Sequence, residues 1–245
     1  MQIEGKRVLI SGASRGLGRM LAFAFADAGA REVIAGTRKE EDRNNLKTDA
    51  ANVRANITPV QLDVTSDDDV NAVAKLGTVD ILINNAGVAG YGNPLTMNFE
   101  DIRQELEVNY VGALRMARAF APPMVKQKEG AIVNIATAFA KVNLPLVGTY
   151  CATKAALLSL GQALRAYLSD SGILVMTVLP TTIDTDMSRG ANVPKMGTEF
   201  VAAEILQAIR DEKHDPPIGD EARGVLDGLA KDPVEFEKSI GKYRA

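Results

Sequence analysis

Apolar residues in this chain gather in short runs that alternate with longer amphipathic or polar stretches. Val8-Leu9-Ile10 is β-like, and the glycines after it lead into Met20 to Ala26, which suits a helix. Glu32-Val33-Ile34-Ala35 returns to strand, Glu40 to Arg54 is polar and helix-compatible, and Ile57 to Leu62 is again strand-like. Ser66 precedes Asp67-Asp68-Asp69, an N-cap followed by acids where the helix dipole favours them. The helix this predicts over 66–76 carries Val70, Val73 and Leu76 on one side, and a strand follows at Val79 to Ile83. Further helices are predicted at about 98–121 and 150–169, around a strand at Ala131 to Ile135. Ile173 to Leu179 is a strand apolar on both faces. Pro216-Pro217-Ile218-Gly219 leaves room for only a very short strand, so a full final strand is not expected, and helices at about 220–229 and 232–241 finish the chain.

Strands that read as continuous apolar runs belong to a sheet covered on both faces. Their alternation with helices predicts an α/β fold, a doubly wound parallel sheet with helices on both faces and right-handed crossovers. No internal repeat or low-complexity linker interrupts the pattern, and 245 residues suit one domain spanning 1–245. Lys+Arg number 28 against 31 Asp+Glu, a net charge of −3. Without a basic excess to neutralise phosphates, nucleic acid is not an expected partner. The one cysteine, Cys151, excludes an internal disulfide, and the lone His214 lies in the charged run Asp211 to Asp215; no metal site is expected. The apolar start is too short for a signal-peptide core, and the charge-free stretch Ile81 to Phe99 is broken by Asn, Gly and Pro, so it is no membrane span. These features lead to the expectation of a soluble cytoplasmic protein.

Three motifs carry chemistry. Ser11-Gly12-Ala13-Ser14-Arg15-Gly16-Leu17-Gly18 lies between the first strand and the first helix. Glycines there let the backbone approach a pyrophosphate, and the helix N-terminus offers free N–H groups and the positive end of its dipole. The spacing is G-x-x-x-G-x-G rather than G-x-G-x-x-G, and such a turn taken alone can be purely structural. Asn84-Asn85-Ala86-Gly87 follows the fourth strand, at the carboxyl end where open parallel sheets bind ligands. Asn side chains there can brace neighbouring strands while Gly87 admits a cofactor; a polar turn reads the same way. Tyr150 and Lys154 are four apart and share one helix face. A free phenol titrates near pKa ~10, and a neighbouring ammonium lowers that value. Thr137, just past a strand, can polarise a carbonyl or bond its own backbone. Asn109 needs a partner in its apolar helix and can anchor a water. Asp63, ending the third strand, can accept from an adenine amino group or form a turn.

Together these residues resemble the short-chain dehydrogenase/reductase family over about residues 5–190. The resemblance implies a Rossmann-like sheet and a nicotinamide cofactor. Ser11, Gly12, Ser14, Arg15, Gly16, Leu17 and Gly18 then form the cofactor turn, Asp63 and Val64 join the cofactor site, and Asn85-Ala86-Gly87 matches the family's Asn-Ala-Gly signature. Asn109, Thr137, Tyr150 and Lys154 fall on the catalytic positions. Pro180 to Thr185 falls on a Pro-Gly-x-x-x-Thr segment whose Thr holds the nicotinamide amide. Three positions depart from the pattern without loss of a functional group: Ser11 stands for Thr, Thr137 for Ser, and Thr181 for Gly.

The implied reaction is hydride transfer between nicotinamide and a neutral, mostly apolar aldehyde or ketone. In it Tyr150 gives the proton, Thr137 polarises the oxygen, Lys154 tunes Tyr150 and holds the ribose, and Asn109 supports a water. NADPH is the expected cofactor, because the second strand ends Ala35-Gly36-Thr37-Arg38 with no acid at its tip. Arg38, Arg15 and the Thr37 hydroxyl would surround a 2′-phosphate. Ala138, Phe139, Val142, Leu144, Thr181 and Met187 are expected to wall the substrate, with Tyr91 in reach. Residues 184–198, with two glycines, read as a lid, and 199–245 as a C-terminal helical part. Leu157, Leu158, Leu160 and Leu164 exceed what one sheet face needs and mark an interface; the resemblance implies a homotetramer or homodimer that pairs the helices at about 98–121 and 150–169. A 3-ketoacyl-carrier-protein reductase is an alternative and would use Arg115, Arg118 and Arg165 to dock an acidic carrier. A larger epimerase or dehydratase is disfavoured by the glycine spacing and the length. A non-catalytic nucleotide-sensing regulator on the same fold would be marked by loss of Tyr or Lys, and both are present.

Overall fold

The computed structural model describes residues 1–242. Among these residues, seven strands form one parallel sheet: β1 (Arg7–Ile10), β2 (Glu32–Thr37), β3 (Ile57–Gln61), β4 (Ile81–Asn84), β5 (Gly130–Ile135), β6 (Ile173–Pro180) and β7 (Pro217–Ile218). Their spatial order is 3-2-1-4-5-6-7. The winding therefore reverses between β1 and β4, the place where such sheets open a crevice. The helices that cross between strands are α1 (Gly16–Asp27), α2 (Glu40–Asn52), α3 (Asp67–Ala74), α4 (Phe99–Leu106), α5 (Gly112–Gln127), α6 (Gly148–Tyr167) and α7 (Thr198–Arg210). After β7, α8 (Gly219–Lys231) and α9 (Pro233–Ile240) close the described chain.

Side chains alternate across a strand, and β1 shows how this builds two cores. Val8 and Ile10 face Leu21 and Phe25 of α1 and Ile205 and Ile209 of α7. Leu9 faces the other way, onto Met116, Phe120 and Met124 of α5. These three of the four β1 residues are wholly buried, which is why Val8-Leu9-Ile10 reads as uninterrupted apolar sequence. Ser66 caps α3 by accepting from the Asp69 N–H, as its sequence predicts.

Two expectations need correction. The helix expected to stop at 121 continues through Pro122 and Pro123 to Gln127. Each proline removes one backbone donor, but Phe120 and Met124 on either side are buried in the core and keep the helix in place until Lys128 adopts a left-handed φ of 55°. The leucines of α6 are also not a spare face. Leu157 and Leu158 are buried with Ala136 and Leu179, Leu160 packs beside them, and Leu164 packs on the α5 cluster. The apolar groups left outside are others, notably Phe99 on α4 and Tyr167 at the end of α6, 71% and 87% exposed. Among the described residues no helix is long and apolar enough to cross a membrane.

Candidate active site

The crevice between β1 and β4 is built first from backbone. Gly12 sits at φ +70°, and a Cβ there would stand 2.8 Å from the Ala86 Cα. A Cβ on Gly18 would collide with the Gly12 carbonyl and the Asn85 amide. Only glycine lets the turn after β1 fold this closely against the segment after β4. Ser11 and Asn85 lock the two together. The Ser11 hydroxyl accepts from the Asn85 and Ala86 N–H groups, both at 3.1 Å, while the Asn85 amide donates to the Ser11 and Gly12 carbonyls, both at 3.0 Å. Helix α1 then starts at Gly16 with no side-chain cap and no acid in its first turn. Its first N–H groups lack intrahelical partners, and with the positive helix end beside a cradle of glycines they fit the pyrophosphate of a dinucleotide.

A second cluster forms at the carboxyl ends of β4 and β5. The helical run from α4 into α5 passes through one π-helical turn, Glu107–Val111, a feature frequent at functional sites. That turn holds Asn109, 1% exposed. Its amide grips the chain leaving β4: Asn109 Oδ1 accepts from the Val88 N–H and its Nδ2 donates to the Val88 carbonyl, both at 2.9 Å. The same Nδ2 donates to Thr153 Oγ1 at 2.8 Å, and Thr153 donates to the Tyr150 carbonyl at 2.7 Å. Asn109 thus finds its partners in protein groups and ties the chain after β4 to α6. Lys154 lies on the same side of α6 as Tyr150. Its Nζ donates to the Ile135 carbonyl at 2.8 Å and stands 5.7 Å from the centroid of the Tyr150 ring. Gly87 completes the cluster: a Cβ there would be 3.2 Å from Asn109 Oδ1 and 3.4 Å from Lys154 Nζ.

The electrostatics differ from the sequence expectation. Burial, then the nearby Cys151, Tyr91 and Glu105, raise the Tyr150 phenol above its usual value of 10. Burial pushes Lys154 down to about 8. The ammonium approaches the ring of Tyr150 and bonds a carbonyl, and in this form it does not lower the phenol. Removal from water is the leading cause of both shifts. Thr137 likewise has partners: its hydroxyl donates to the Pro180 carbonyl at 3.0 Å and accepts from the Phe139 N–H at 3.3 Å.

The remaining expected residues divide. Thr37 is buried at the end of β2 and Arg38 is exposed at its tip. Arg15 is exposed and pairs with Asp186 at 3.3 Å. Leu17 places its side chain in the core at the start of α1, and Ser14 is half-buried in the turn. Asp63 forms an Asx turn by accepting from the Thr65 N–H and hydroxyl at 2.9 and 2.7 Å. Val64 packs into the α5 core, and its carbonyl accepts from Arg115 at 2.7 Å. Thr185 lies against the glycine turn, 3.1 Å from where a Gly16 Cβ would stand. Ala138 and Val142 do not wall a cleft. A short helical turn at Ala138–Ala140 directs them into a core cluster with Ala222, Val225 and Ile240, which α8 and α9 bring over them. Phe139 and Leu144 border that cluster half-buried, and Met187 is 42% exposed. Thr181 donates to Glu221 Oε2 of α8 at 2.7 Å.

Residues 6–195 match the short chain dehydrogenase family. The chain belongs to that family. It is 35% identical over 237 residues to a dehydrogenase/reductase SDR family protein 7-like of Anopheles gambiae, covering 86% of this chain and 74% of the relative. It is 31% identical over 210 residues to a 3-oxoacyl-acyl-carrier-protein reductase of Thermotoga maritima, covering 84% of each. A short chain dehydrogenase of Burkholderia cenocepacia, solved in complex with NADP, superposes with a TM-score of 0.90 at 36% identity, covering 98% of this chain and 99% of that one. This short-chain dehydrogenase is therefore an oxidoreductase of a family that uses NAD or NADP.

Sequence reading of this short-chain dehydrogenase missed several residues. Thr153, which links Asn109 to the Tyr150 carbonyl, carries no signal beyond lying inside Tyr-x-x-x-Lys. Asn134 and Thr177 continue the register row of Asn84 across β5 and β6, all three buried, and Asn84, which the sequence did offer as a strand brace, donates its Nδ2 to Asn134 Oδ1 at 2.9 Å. A buried row of polar groups on adjacent strands is visible only once the register is known. Glu105, one helical turn before Asn109, was legible as a carboxylate on the same helix face.

Proposed function

We propose that this protein is an NADPH-dependent carbonyl reductase, transferring hydride to an aldehyde or ketone whose reacting end meets mostly apolar walls. The observation that carries the reading is the cluster of Tyr150, Lys154, Asn109 and Gly87 beside the glycine turn, closed by the Asn109–Thr153–Tyr150 hydrogen bonds. When bound, the nicotinamide supplies the hydride. Tyr150 gives its proton to the carbonyl oxygen; burial keeps the phenol protonated, and the positive charge of Lys154 offsets the cost of the phenolate that forms. Thr137 turns its hydroxyl from the Pro180 carbonyl toward that oxygen. Lys154 meets the incoming negative charge of the phenolate as the proton leaves, and Asn109 holds the floor of the site. Thr181 and Met187 remain walls of the substrate site, with Phe139 and Leu144 at its edge. Arg38, Arg15 and Thr37 take the 2′-phosphate, and Asp63 and Val64 border the adenine.

The similarity to a 3-oxoacyl-acyl-carrier-protein reductase favours a second reading, a ketone carried on a thioester. Against it, Arg115 is engaged by Asp67, Glu107 and Val64, and Arg165 by Asp215 and Val175, so two of the three candidate docking cations are already paired. One panel decides between them: simple aldehydes and ketones, and an acetoacetyl thioester, each with NADPH and NADH, followed by nicotinamide absorbance. The proposal expects turnover of the simple carbonyls with NADPH. Charged hydrogen bonds are worth roughly 1.5–3 kcal/mol each, so Arg38→Asp should weaken NADPH about tenfold or more. An NADH preference in the unaltered protein overturns the cofactor assignment.

A further inference from the structure

Beneath the loop that follows β4, a cleft of about 540 Å³ opens between residues 88–98 and α4. Its size is that of a small-molecule site. Tyr91, Asn93, Asn98, Asp101, Gln104 and Glu105 supply its polar lining, and among the described residues no lysine or arginine borders it. Glu105 sets this cleft apart. It is 2% exposed, on a helix whose neighbouring positions face solvent. Its Oε1 accepts from the Gly90 N–H, while its Oε2 is buried and without a hydrogen-bond partner among the described residues. An unpaired buried carboxylate oxygen is costly, and the charge that best offsets it is a cationic donor.

We propose that this cleft is the distal part of the substrate site, and that Glu105 receives an ammonium group carried by the carbonyl substrate. The inference rests on the carbonyl-reductase reading and extends it to substrate class. Two contacts join the cleft to the reaction centre. Glu105 lies four residues before Asn109 on the same helix face, and both hold the chain between Val88 and Gly90. Tyr91, at the rim, donates its hydroxyl to the Met187 carbonyl at 2.8 Å, so the cleft borders the segment expected to cover the substrate. Tyr91 and Glu105 are also near enough to Tyr150 to raise its phenol. The walls near Tyr150 take the apolar reacting end, and the acidic cleft takes the cation. Asp101 adds a second negative charge to the lining.

The test compares 3- and 4-(aminomethyl)acetophenone with 3- and 4-methylacetophenone as substrates, with NADPH, for the unaltered protein and for Glu105→Gln, which keeps an acceptor for Gly90. Binding of benzylammonium and of benzyl alcohol is measured by calorimetry on the same two proteins. The unaltered protein should favour an ammonium-bearing ketone about tenfold or more in kcat/KM, the scale of one charged hydrogen bond, and Glu105→Gln should bring that ratio close to one. No preference, or a preference that survives Glu105→Gln, overturns the proposal. If neither ketone type is reduced, the carbonyl-reductase reading is what fails, and calorimetry then decides the site. Benzylammonium binding lost in Glu105→Gln supports Glu105 as an ammonium site, and equal binding to both proteins overturns it. Should Glu105→Gln not fold, the unaltered protein decides, because benzylammonium must bind it more tightly than benzyl alcohol.

Discussion

Tyr150 and Lys154 show how burial, rather than proximity, sets the proton chemistry of a residue pair. Neither charged form is favoured inside the protein: the phenol is raised and the ammonium lowered to about 8. Tyr150→Phe keeps the ring and removes the proton, so turnover should fall by roughly 10²–10⁴-fold, the range for a general acid, while NADPH binding measured by fluorescence stays close to normal. Near-normal turnover in the pure variant would refute the assignment. Lys154 also makes a stability prediction. Its folded value lies below the ordinary 10.5, so folding disfavours its charged form. That cost is fully present below pH 8 and is relieved as pH rises from about 8 to 10.5. Relative to Lys154→Met, which cannot titrate, the unaltered protein should therefore gain unfolding free energy across this window, by roughly 3 kcal/mol at the full shift. Denaturant unfolding of both proteins at pH 7, 8.5 and 10 measures it, and a difference constant with pH would contradict it.

Among the elements, the segment 184–198 is held at its base and loosely contacted at its tip. Asp184 N–H donates to the Met196 carbonyl at 2.8 Å and Met196 N–H to the Thr182 carbonyl at 2.9 Å. Between these bonds lie the short helical turn Asp186–Ser188, the Arg15–Asp186 ion pair and the Tyr91–Met187 bond. Exposed ion pairs contribute only about 0–1 kcal/mol, so the tip should open far more readily than the base. A lid that excludes water must order when cofactor and substrate bind. Hydrogen exchange should slow at about residues 186–195 on addition of NADPH with an unreactive substrate analogue, and remain slow throughout at Asp184 and Met196. Exchange at the tip unchanged by ligand would argue against a lid.

For the whole molecule, the question is what covers the outer surfaces of α4 and α6. Leu157 and Leu158 are taken up by this chain's own core, which leaves Phe99, Leu106 and Tyr167 as exposed apolar groups there. Exposed apolar patches favour association, and the proposal of a homodimer or homotetramer now rests on these residues. Sedimentation at micromolar concentration should give a dimer or tetramer, and Phe99→Glu with Tyr167→Glu should shift it toward monomer. A monomeric unaltered protein would end the proposal.

Much of this was legible in the sequence because it depends on local chemistry. Apolar runs and glycine-rich turns at strand ends are fixed by backbone sterics and side-chain period, so β1, the Ser11 to Gly18 turn and the Tyr150–Lys154 pair stand where their spacing puts them. The Ser66 cap was readable for the same reason. Only tertiary structure decided which buried groups meet. Whether Ala138 and Val142 face a cleft or a core depended on α8 and α9, more than 75 residues later in the chain. The helix through Pro122 and Pro123 persisted because core packing outweighed local propensity. The proton affinities of Tyr150 and Lys154 followed from how deeply the fold buries them, a quantity no spacing between two residues contains.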